Sequence, residues 1–252
     1  MLFKVHAIGL TDIGRVRATN QDSMLVDNEL GLFIVADGMG GHAGGEIASR
    51  ICIEQVYSEV RTKFLSLLAN SPKIHPDPVL LNGLANSINH ASAKIYEHSL
   101  EDPSLRGMGT TATVVKIVDE YAYCAHVGDS RFYLVRKGLI YQQSFDHSLV
   151  NEQVRAGILT PEEAEVHHLK NVITRSVGYQ EEEDVDTLCT RLEPGDFLLL
   201  CSDGLHGKIG DGEISKVTTD KGVGAVKELL DLANDRGGED NITLVIIEIK
   251  AP

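Results

Sequence analysis

The sequence contains no tryptophan, and its aromatic content is only 5% of 252 residues. A hydrophobic core must therefore be built mainly from valine, isoleucine and leucine, which are numerous enough for a globular protein. A chain of this length can bury a sizeable core, and large β and mixed folds of this size are often single domains. No change in composition forces a division, so we predict one domain over residues 1–252.

Long apolar runs and clustered bases are also missing. No run approaches the roughly 18 apolar residues of a membrane-spanning helix, and residues 1–5 resemble the start of a strand rather than a signal peptide. We therefore predict a cytoplasmic protein with no membrane partner. Lysine and arginine number 23 against 37 aspartates and glutamates, giving a formal charge of −14. This balance argues against a nucleic-acid partner, and the excess acid either aids solubility or is neutralised by bound cations.

Several common site patterns are absent. The four cysteines are far apart and lack C-x-x-C spacing, so buried free thiols are expected rather than disulfides or zinc ligands. No cysteine has the C-x5-R context of the cysteine-dependent tyrosine phosphatases. The chain also lacks an EF-hand run, zinc-spaced histidines and a Walker A loop, which excludes these kinds of site.

Hydrophobic patterns predict eight strands, with helices between groups of them. The strands are expected at residues 4–10, 32–36, 110–118, 121–127, 131–136, 185–191, 196–202 and 242–249. Lys137-Gly138 predicts a hairpin turn into a further short strand at 139–142. The connections between residues 110 and 142 are too short for crossover helices, so this part of the sheet is predicted to be antiparallel.

Three helices are predicted from apolar residues at helical spacing. One begins near Gly45 and runs past Val56, a second begins at Pro78 behind an Asp77 N-cap, and a third covers residues 223–233. Between residues 144 and 184 the pattern changes to short helical pieces and charge. We interpret this segment as a flap insertion over one end of the sheets, and such insertions more often carry specificity than chemistry.

The loop at residues 37–45 is the most informative stretch of the chain. It follows the apolar run at 32–35 and combines Asp37 and His42 with five glycines. Glycine lets the backbone come close to a ligand, and the end of a buried strand holds an acid in place. The pattern therefore indicates an acid delivered to a site.

Acids stand beside four predicted core strands, at Asp37, Asp129, Asp203 and Asp240. One Asp-Gly pair is usually only a turn, but four acids at strand ends are harder to explain in that way. If the four converge, their repulsion raises their pKa values unless cations compensate. Carboxylate oxygens without histidine or cysteine suit hard ions such as Mg²⁺ or Mn²⁺.

Six segments, in order along the chain, closely resemble the motifs of the PPM (PP2C-type) metal-dependent serine/threonine protein phosphatases. They are residues 17–22, 37–45, 109–112, 127–131, 201–205 and 240–243. The resemblance spans about residues 6–249 and is strongest to short bacterial members that consist of the catalytic domain alone. It implies an α+β fold, a four-layer α/β/β/α sandwich of two antiparallel sheets flanked by antiparallel helix pairs. It also implies two Mn²⁺ or Mg²⁺ ions per site.

The resemblance assigns roles to the metal-binding residues by position. Asp37 would bridge the two ions, with the Gly38 carbonyl on one of them. Asp203 and Asp240 would hold the other ion. Asp37 and Asp203 are thereby also predicted to be catalytic.

Four further residues receive roles from the same resemblance. Asp22 would act through metal-bound water, and Asp129 would help to bind the third metal seen in bacterial relatives. Arg17 presents a planar fork suited to the oxygens of the substrate phosphate. His42 can donate a proton to the departing serine or threonine alkoxide.

The predicted mechanism is direct hydrolysis without a phosphoenzyme. Two cations about 3.5–4 Å apart lower the pKa of a shared water and orient it for in-line attack on phosphorus. The expected partners are phosphorylated proteins, made by an opposing serine/threonine kinase, and the protein is expected to be a monomer. His126 reads as a core or strand residue, and His206 as at most a neighbour of the site.

Two alternatives remain open from the sequence. The first is a catalytically silent binding or regulatory module that keeps the phosphatase fold. The second is a metal-dependent phosphodiesterase or small-molecule phosphatase. Metal binding tests the first alternative, and a comparison of turnover on phosphoproteins, monoesters and diesters tests the second.

Overall fold

The computed structural model describes residues 3–41, 43–69 and 74–251. Within those ranges it has eleven strands and seven α-helices. The strands are β1 (Lys4–Asp12), β2 (Asp22–Asp27), β3 (Leu32–Met39), β4 (Gly109–Thr110), β5 (Ala112–Val118), β6 (Tyr121–Val127), β7 (Arg131–Arg136), β8 (Leu139–Gln142), β9 (Asp186–Arg191), β10 (Phe197–Cys201) and β11 (Ile242–Lys250). The helices are α1 (Gly44–Ala69), α2 (Pro78–Glu101), α3 (Leu149–Arg155), α4 (Pro161–Glu165), α5 (Asp203–His206), α6 (Asp211–Lys221) and α7 (Ala225–Asp235).

The strands form two antiparallel sheets. Sheet one has the order β1-β11-β10-β7-β8, and sheet two has the order β2-β3-β5-β6-β9, with β4 paired to β3. The last strand, β11, lies between β1 and β10 and pairs with β1 from Lys4↔Lys250 to Asp12↔Ile242. The two ends of the chain are thus joined side by side within sheet one.

Three hydrophobic cores separate the layers of the fold. Along β3, Phe33 and Val35 point into a core between the two sheets, whereas Leu32 and Ile34 pack against α1 and α2. Successive side chains of a strand alternate between faces, so a strand covered on both sides is apolar throughout. A third core lies between sheet one and the helices α6 and α7. The layer order is helix, sheet, sheet, helix, as predicted.

The predicted elements agree with the observed ones apart from three omissions. All eight predicted strands are present, and the 131–142 hairpin turns at Lys137 and Gly138, both with φ above +50°. Strand β2 was not predicted because it is an edge strand and most of it is only half buried. The polar helix α6 and the four-residue α5 also lack a clear apolar period.

The beginning of α2 follows the sequence prediction closely. Asp77 is its N-cap and accepts a hydrogen bond from the Val79 N–H (2.9 Å), with Pro78 in the first turn. Residues 70–73 of the preceding connector lie outside the described residues. The described helices include none that is long and apolar enough to cross a membrane.

The segment from 144 to 184 contains α3 and α4, which are short as expected, and α4 begins with a capping box between Thr160 and Glu163. Its far end returns to the sheets through a bridge between Thr110 and Val177. The segment therefore borders the strand end that carries Asp37. That it forms a flap on a single domain stays a prediction.

Candidate active site

The predicted acids converge where the two sheets meet at one end. Asp22 and Asp37 lie directly opposite each other on β2 and β3 of sheet two. Asp203 follows β10 and Asp240 precedes β11, both in sheet one. The pKa of Asp37 is raised well above its ordinary value of 3.8, first by burial and then by repulsion from the other four acids, Asp129 included. The structure therefore brings all five predicted carboxylates into one electrostatic group.

The backbone of Asp37 is fixed by two threonines. Its N–H donates to Thr111 Oγ1 (2.9 Å), and the Thr111 N–H donates back to the Asp37 carbonyl (2.8 Å). Thr110 Oγ1 also donates to that carbonyl (2.9 Å). Both threonines are buried. Thr110 and Thr111 thus hold the backbone of Asp37 in position.

Asp22 is tied across the gap between the sheets by Ser202. The Ser202 hydroxyl donates to Asp22 Oδ2 (2.8 Å) and accepts from the Thr243 N–H (3.0 Å). Asp22 is only 7% exposed. Burial raises its pKa, although hydrogen bonds from Thr243 and Ser202 oppose that shift. This serine therefore orients a sheet-two acid from sheet one.

The other acids experience the same environment. Burial and repulsion from Asp240 and Asp22 raise the pKa of Asp203 to about 6, against a smaller opposing effect of Arg17. Burial and repulsion from Asp203 raise the pKa of Asp129 to about 7. Keeping these groups ionised together is unfavourable without a positive charge near them.

Within the part of the chain that the structure describes, two buried carboxylate oxygens have no hydrogen-bond donor. They are Asp22 Oδ1 and Asp203 Oδ1, and such buried, unsatisfied acceptors are rare in folded proteins. Among the described residues, no three His, Cys, Asp or Glu side chains are arranged to hold an ion by themselves. Mg²⁺ needs only one or two carboxylates, because water fills its other positions. The donor set therefore fits small, hard cations that keep part of their hydration.

The glycine-rich loop packs backbone on backbone. A Cβ on Gly38 would lie 2.1 Å from the Gly45 carbonyl oxygen and 2.5 Å from that of Gln21. The Gly38 N–H donates to the same Gln21 carbonyl (3.2 Å). No side chain fits at Gly38, so the loop after Asp37 can close against the start of α1 only with glycine there.

Arg17 lies against this acid group. Its Nη2 is 2.6 Å from Asp240 Oδ2, and half of its side chain (52%) is exposed. The guanidinium is therefore paired with the acid group while half of the side chain stays open to solvent. His42 lies outside the described residues, so its predicted role stays a prediction.

Two other histidines have structural environments. His126 is fully buried and bonds to Thr113 Oγ1 and to the Gly128 carbonyl, as expected of a core residue. His206 Nε2 donates to the Asp129 carbonyl (3.1 Å), and burial and the Arg131 charge lower its pKa to about 3. A neutral His206 thus supports the loop that presents Asp129.

The sequence reasoning gave no separate role to three residues that organise the site: Ser202, Asn241 and Thr243. Each is a buried polar residue beside or inside an apolar strand. That placement was the available signal, because a buried polar group needs a partner. Their partners are far away in sequence, however, and could not be identified from it.

Comparison with known proteins identifies the family to which the chain belongs. Residues 14–242 match the family described as protein phosphatase 2C. The protein phosphatase PhpP of Streptococcus pneumoniae is 40% identical over 245 residues, which cover 95% of this chain and 96% of PhpP.

Solved structures agree along nearly the whole chain. The serine/threonine phosphatase of S. agalactiae matches with a TM-score of 0.86 and 38% identity, over 98% of this chain and 100% of its own. The catalytic domain of the phosphatase PstP, in complex with two manganese ions, matches with a TM-score of 0.82 and 32% identity. The match covers 98% of this chain and 99% of the PstP chain. The predicted fold class and the predicted type of enzyme are both confirmed, and the chain belongs to the protein phosphatase 2C family of serine/threonine phosphatases.

Proposed function

We propose that this protein hydrolyses phosphoserine and phosphothreonine in phosphorylated proteins, with Mn²⁺ or Mg²⁺ bound by its converging aspartates. The observation that carries the proposal is the pair of orphaned oxygens on Asp22 and Asp203, inside a group of buried acids next to Arg17. The complex of PstP with two manganese ions supports the proposal that this site also binds two ions. A serine/threonine kinase would supply the substrates.

Each acid has a proposed share in holding the cations. Asp37 and the Gly38 carbonyl would hold one ion, with Asp37 shared between two. Asp203 and Asp240 would hold the second, and Asp22 would contribute through an intervening water. When bound, such ions supply an activated water and neutralise charge on the phosphate. The proposed role of Asp129 is at a third ion.

The remaining chemistry belongs to the chain itself. Arg17 would bind the non-bridging oxygens of the phosphate through its planar fork, and its half-exposed side chain can reach a ligand from solvent. His42 would donate a proton to the leaving alkoxide, which is otherwise a poor leaving group. Neither role needs a covalent intermediate with the protein.

The function is tested by hydrolysis of phosphoserine, phosphothreonine and phosphotyrosine peptides with Mn²⁺ and with EDTA. We expect turnover of the first two, weak turnover of the third, and loss of all activity with the chelator. Comparison with a phosphodiester and a small monoester tests the alternative substrates. Faster turnover of the diester, or activity that survives EDTA, would contradict the proposal.

Arg17→Ala is expected to raise KM for a phosphopeptide about 10- to 100-fold, because hydrogen bonds to a charged group contribute about 1.5–3 kcal/mol. The value of kcat should change much less. Steady-state kinetics on one phosphothreonine peptide checks this. Arg15→Ala is the matched control, since Arg15 is an exposed arginine of the same loop. An unchanged KM in Arg17→Ala would remove Arg17 from substrate binding.

Ser202→Ala is expected to weaken Mn²⁺ binding about 10- to 100-fold, the usual effect of removing a partner of a metal ligand. The substitution leaves Asp22 Oδ2 and the Thr243 N–H without their shared hydroxyl. Calorimetric titration with Mn²⁺ measures the change. Ser215→Ala is the control, because Ser215 is also buried but bonds to the Gly138 carbonyl. Equal affinity in both variants would show that Ser202 does not organise the centre.

A further inference from the structure

Arg17 lies on a loop that has little packing of its own. Residues 13–21 connect β1 to β2 without regular secondary structure, and residues 15–19 are all exposed. Val16, next to Arg17, has 67% of its surface exposed. An exposed loop with few apolar contacts opens locally at little free-energy cost. Something other than packing must hold the Arg17 guanidinium beside the acids.

The side chain of Asn241 makes three hydrogen bonds to this loop. Its Nδ2 donates to the carbonyls of Ile13 and Thr19, both at 3.0 Å. Its Oδ1 accepts from the Gln21 N–H at 2.8 Å. Asn241 is only 5% exposed, although its partners lie on a surface loop. One buried amide therefore joins the first residue of the loop to its last turn.

No other common side chain reproduces this pattern. The amide needs two donors facing two carbonyls and one acceptor facing an N–H, which asparagine provides on a short stem. Aspartate would set a carboxylate oxygen against the carbonyls, and leucine would leave all three backbone groups without their partner. The arrangement also fixes which way the Asn241 amide faces.

The same segment holds the tip of Arg17. The Asn241 N–H donates to Asp240 Oδ1 (2.8 Å), while Arg17 Nη2 bonds to Asp240 Oδ2 (2.6 Å). The loop also approaches this segment closely at Gly14, where φ is +81° and a Cβ would lie 2.2 Å from the Asp240 carbonyl oxygen. Base and tip of the loop are thus both anchored on residues 240–241.

We propose that Asn241 is a positioning residue that holds the Arg17 loop against the aspartate centre, so that Arg17 is in place before a phosphorylated substrate arrives. The inference rests on the proposed role of Arg17 in substrate binding. Asn241 contributes no contact to the substrate. It acts by restricting the conformations of the loop before binding, which reduces the conformational entropy that the loop loses when substrate binds.

The first test measures the loop without reference to activity. Trypsin cleaves after Arg15 and Arg17, and mass spectrometry identifies those cuts separately from all others. In Asn241→Ala we expect these two cuts at least about tenfold faster than in the unchanged protein, because local opening limits the cleavage of folded chains. Asn89→Ala is the control, since Asn89 likewise bonds to a backbone N–H, that of Glu183, away from this loop. Equal cleavage rates in all three proteins would overturn the inference.

The second test is a double-mutant cycle on a phosphothreonine peptide. Asn241→Ala should raise KM about tenfold and change kcat less than about threefold, the effect of losing hydrogen bonds that position a binding group. In the Arg17→Ala background the same substitution should change KM by less than about twofold, because the group it positions is gone. If Asn241→Ala raises KM by the same factor with and without Arg17, Asn241 does not act through Arg17.

Calorimetric Mn²⁺ titration separates this role from a direct effect on the metal centre. Affinity within about threefold of the unchanged protein is expected for Asn241→Ala, since the Asn241 side chain, unlike that of Ser202, bonds to none of the carboxylates. A loss as large as that of Asp240→Asn would overturn the inference. If Asn241→Ala does not fold, Asn241→Ser provides the same measurements with one hydroxyl retained. Failure of the proposed function itself would be visible separately, as absent turnover by the unchanged protein.

Discussion

Replacing Asp37 with asparagine is expected to lower kcat on a phosphothreonine peptide at saturating Mn²⁺ by at least about 10³-fold, equivalent to about 4 kcal/mol of transition-state stabilisation. Asp37 lies at the centre of the acid group, where its pKa is raised by burial and by its four neighbours. Asparagine keeps the size of the side chain but removes one of its two charged oxygens. If Asp37 is shared between two cations, as proposed, this change weakens their binding and with it the supply of activated water.

The measurement needs a folded variant and a matched control. The backbone bonds of Asp37 to Thr110 and Thr111 do not involve its carboxylate, so Asp37→Asn should melt cooperatively. Asp231→Asn is the control, because Asp231 is an exposed acid on α7 that pairs with Lys227. Activity of folded Asp37→Asn within about tenfold of that control would reject Asp37 as a shared ligand, since loss of such a ligand must cost several kcal/mol.

The metal-free protein is expected to be stabilised by Asp203→Asn at pH 7.5. Asp203 carries an orphaned buried oxygen, and burial and repulsion raise its pKa from 3.8 to about 6. A shift of about two units corresponds to roughly 3 kcal/mol against the ionised folded state. For a chain of this size that predicts a Tm higher by about 6–12 °C in EDTA. Mn²⁺ should then stabilise the unchanged protein more than it stabilises the variant.

The pH dependence follows from the direction of the shift. Because the folded-state pKa of Asp203 is raised, its ionisation leaves stability intact below about pH 4 and removes stability as the pH rises through about 6. The gain in Tm from Asp203→Asn should therefore shrink between pH 7.5 and pH 5. Thermal melts in EDTA at both values test this, with Asp231→Asn as reference. A gain that is larger at pH 5 would contradict the electrostatic explanation.

The sequence could predict the acids of the centre but not their surroundings. Asp37 and Asp203 stand at the ends of apolar runs, so their placement at buried strand ends followed from the pattern alone. Convergence itself was implied by the family resemblance, because spacing along a chain does not determine which strands become neighbours. The structure supplies the geometric evidence, because Asp22 lies opposite Asp37 and is joined to Ser202 of the other sheet.

The residues that position the acids and the Arg17 loop could not be predicted, for a different reason. Ser202 bonds to Asp22 over 180 residues, and Asn241 bonds to Gln21 over 220. Such pairs depend on the register between distant strands, which local propensity does not contain. Strand β2 was missed because its apolar run is only three residues long, from Met24 to Val26, between polar residues, although these side chains pack against the cores on both faces of sheet two. The tertiary fold decides these features.

The role of the glycines in the 37–45 loop became more specific with the structure. The sequence suggested that they let the backbone approach cations. In the structure Gly38 and Gly45 pack against each other, with a Cβ at Gly38 only 2.1 Å from the Gly45 carbonyl oxygen. Their immediate use is to join the end of β3 to the start of α1 without a gap. That junction is what brings the Gly38 backbone into the centre.

The place of β11 in sheet one bears on when the enzyme can first work. This strand is the last in the sequence, yet it lies between β1 and β10, and Asp240 directly precedes it. A chain growing from its amino end has neither the strand that joins these two nor the acid beside it until residues 240–250 have been made. A chain that stops before residue 240 lacks both this strand and this acid, so we expect it to have no phosphatase activity.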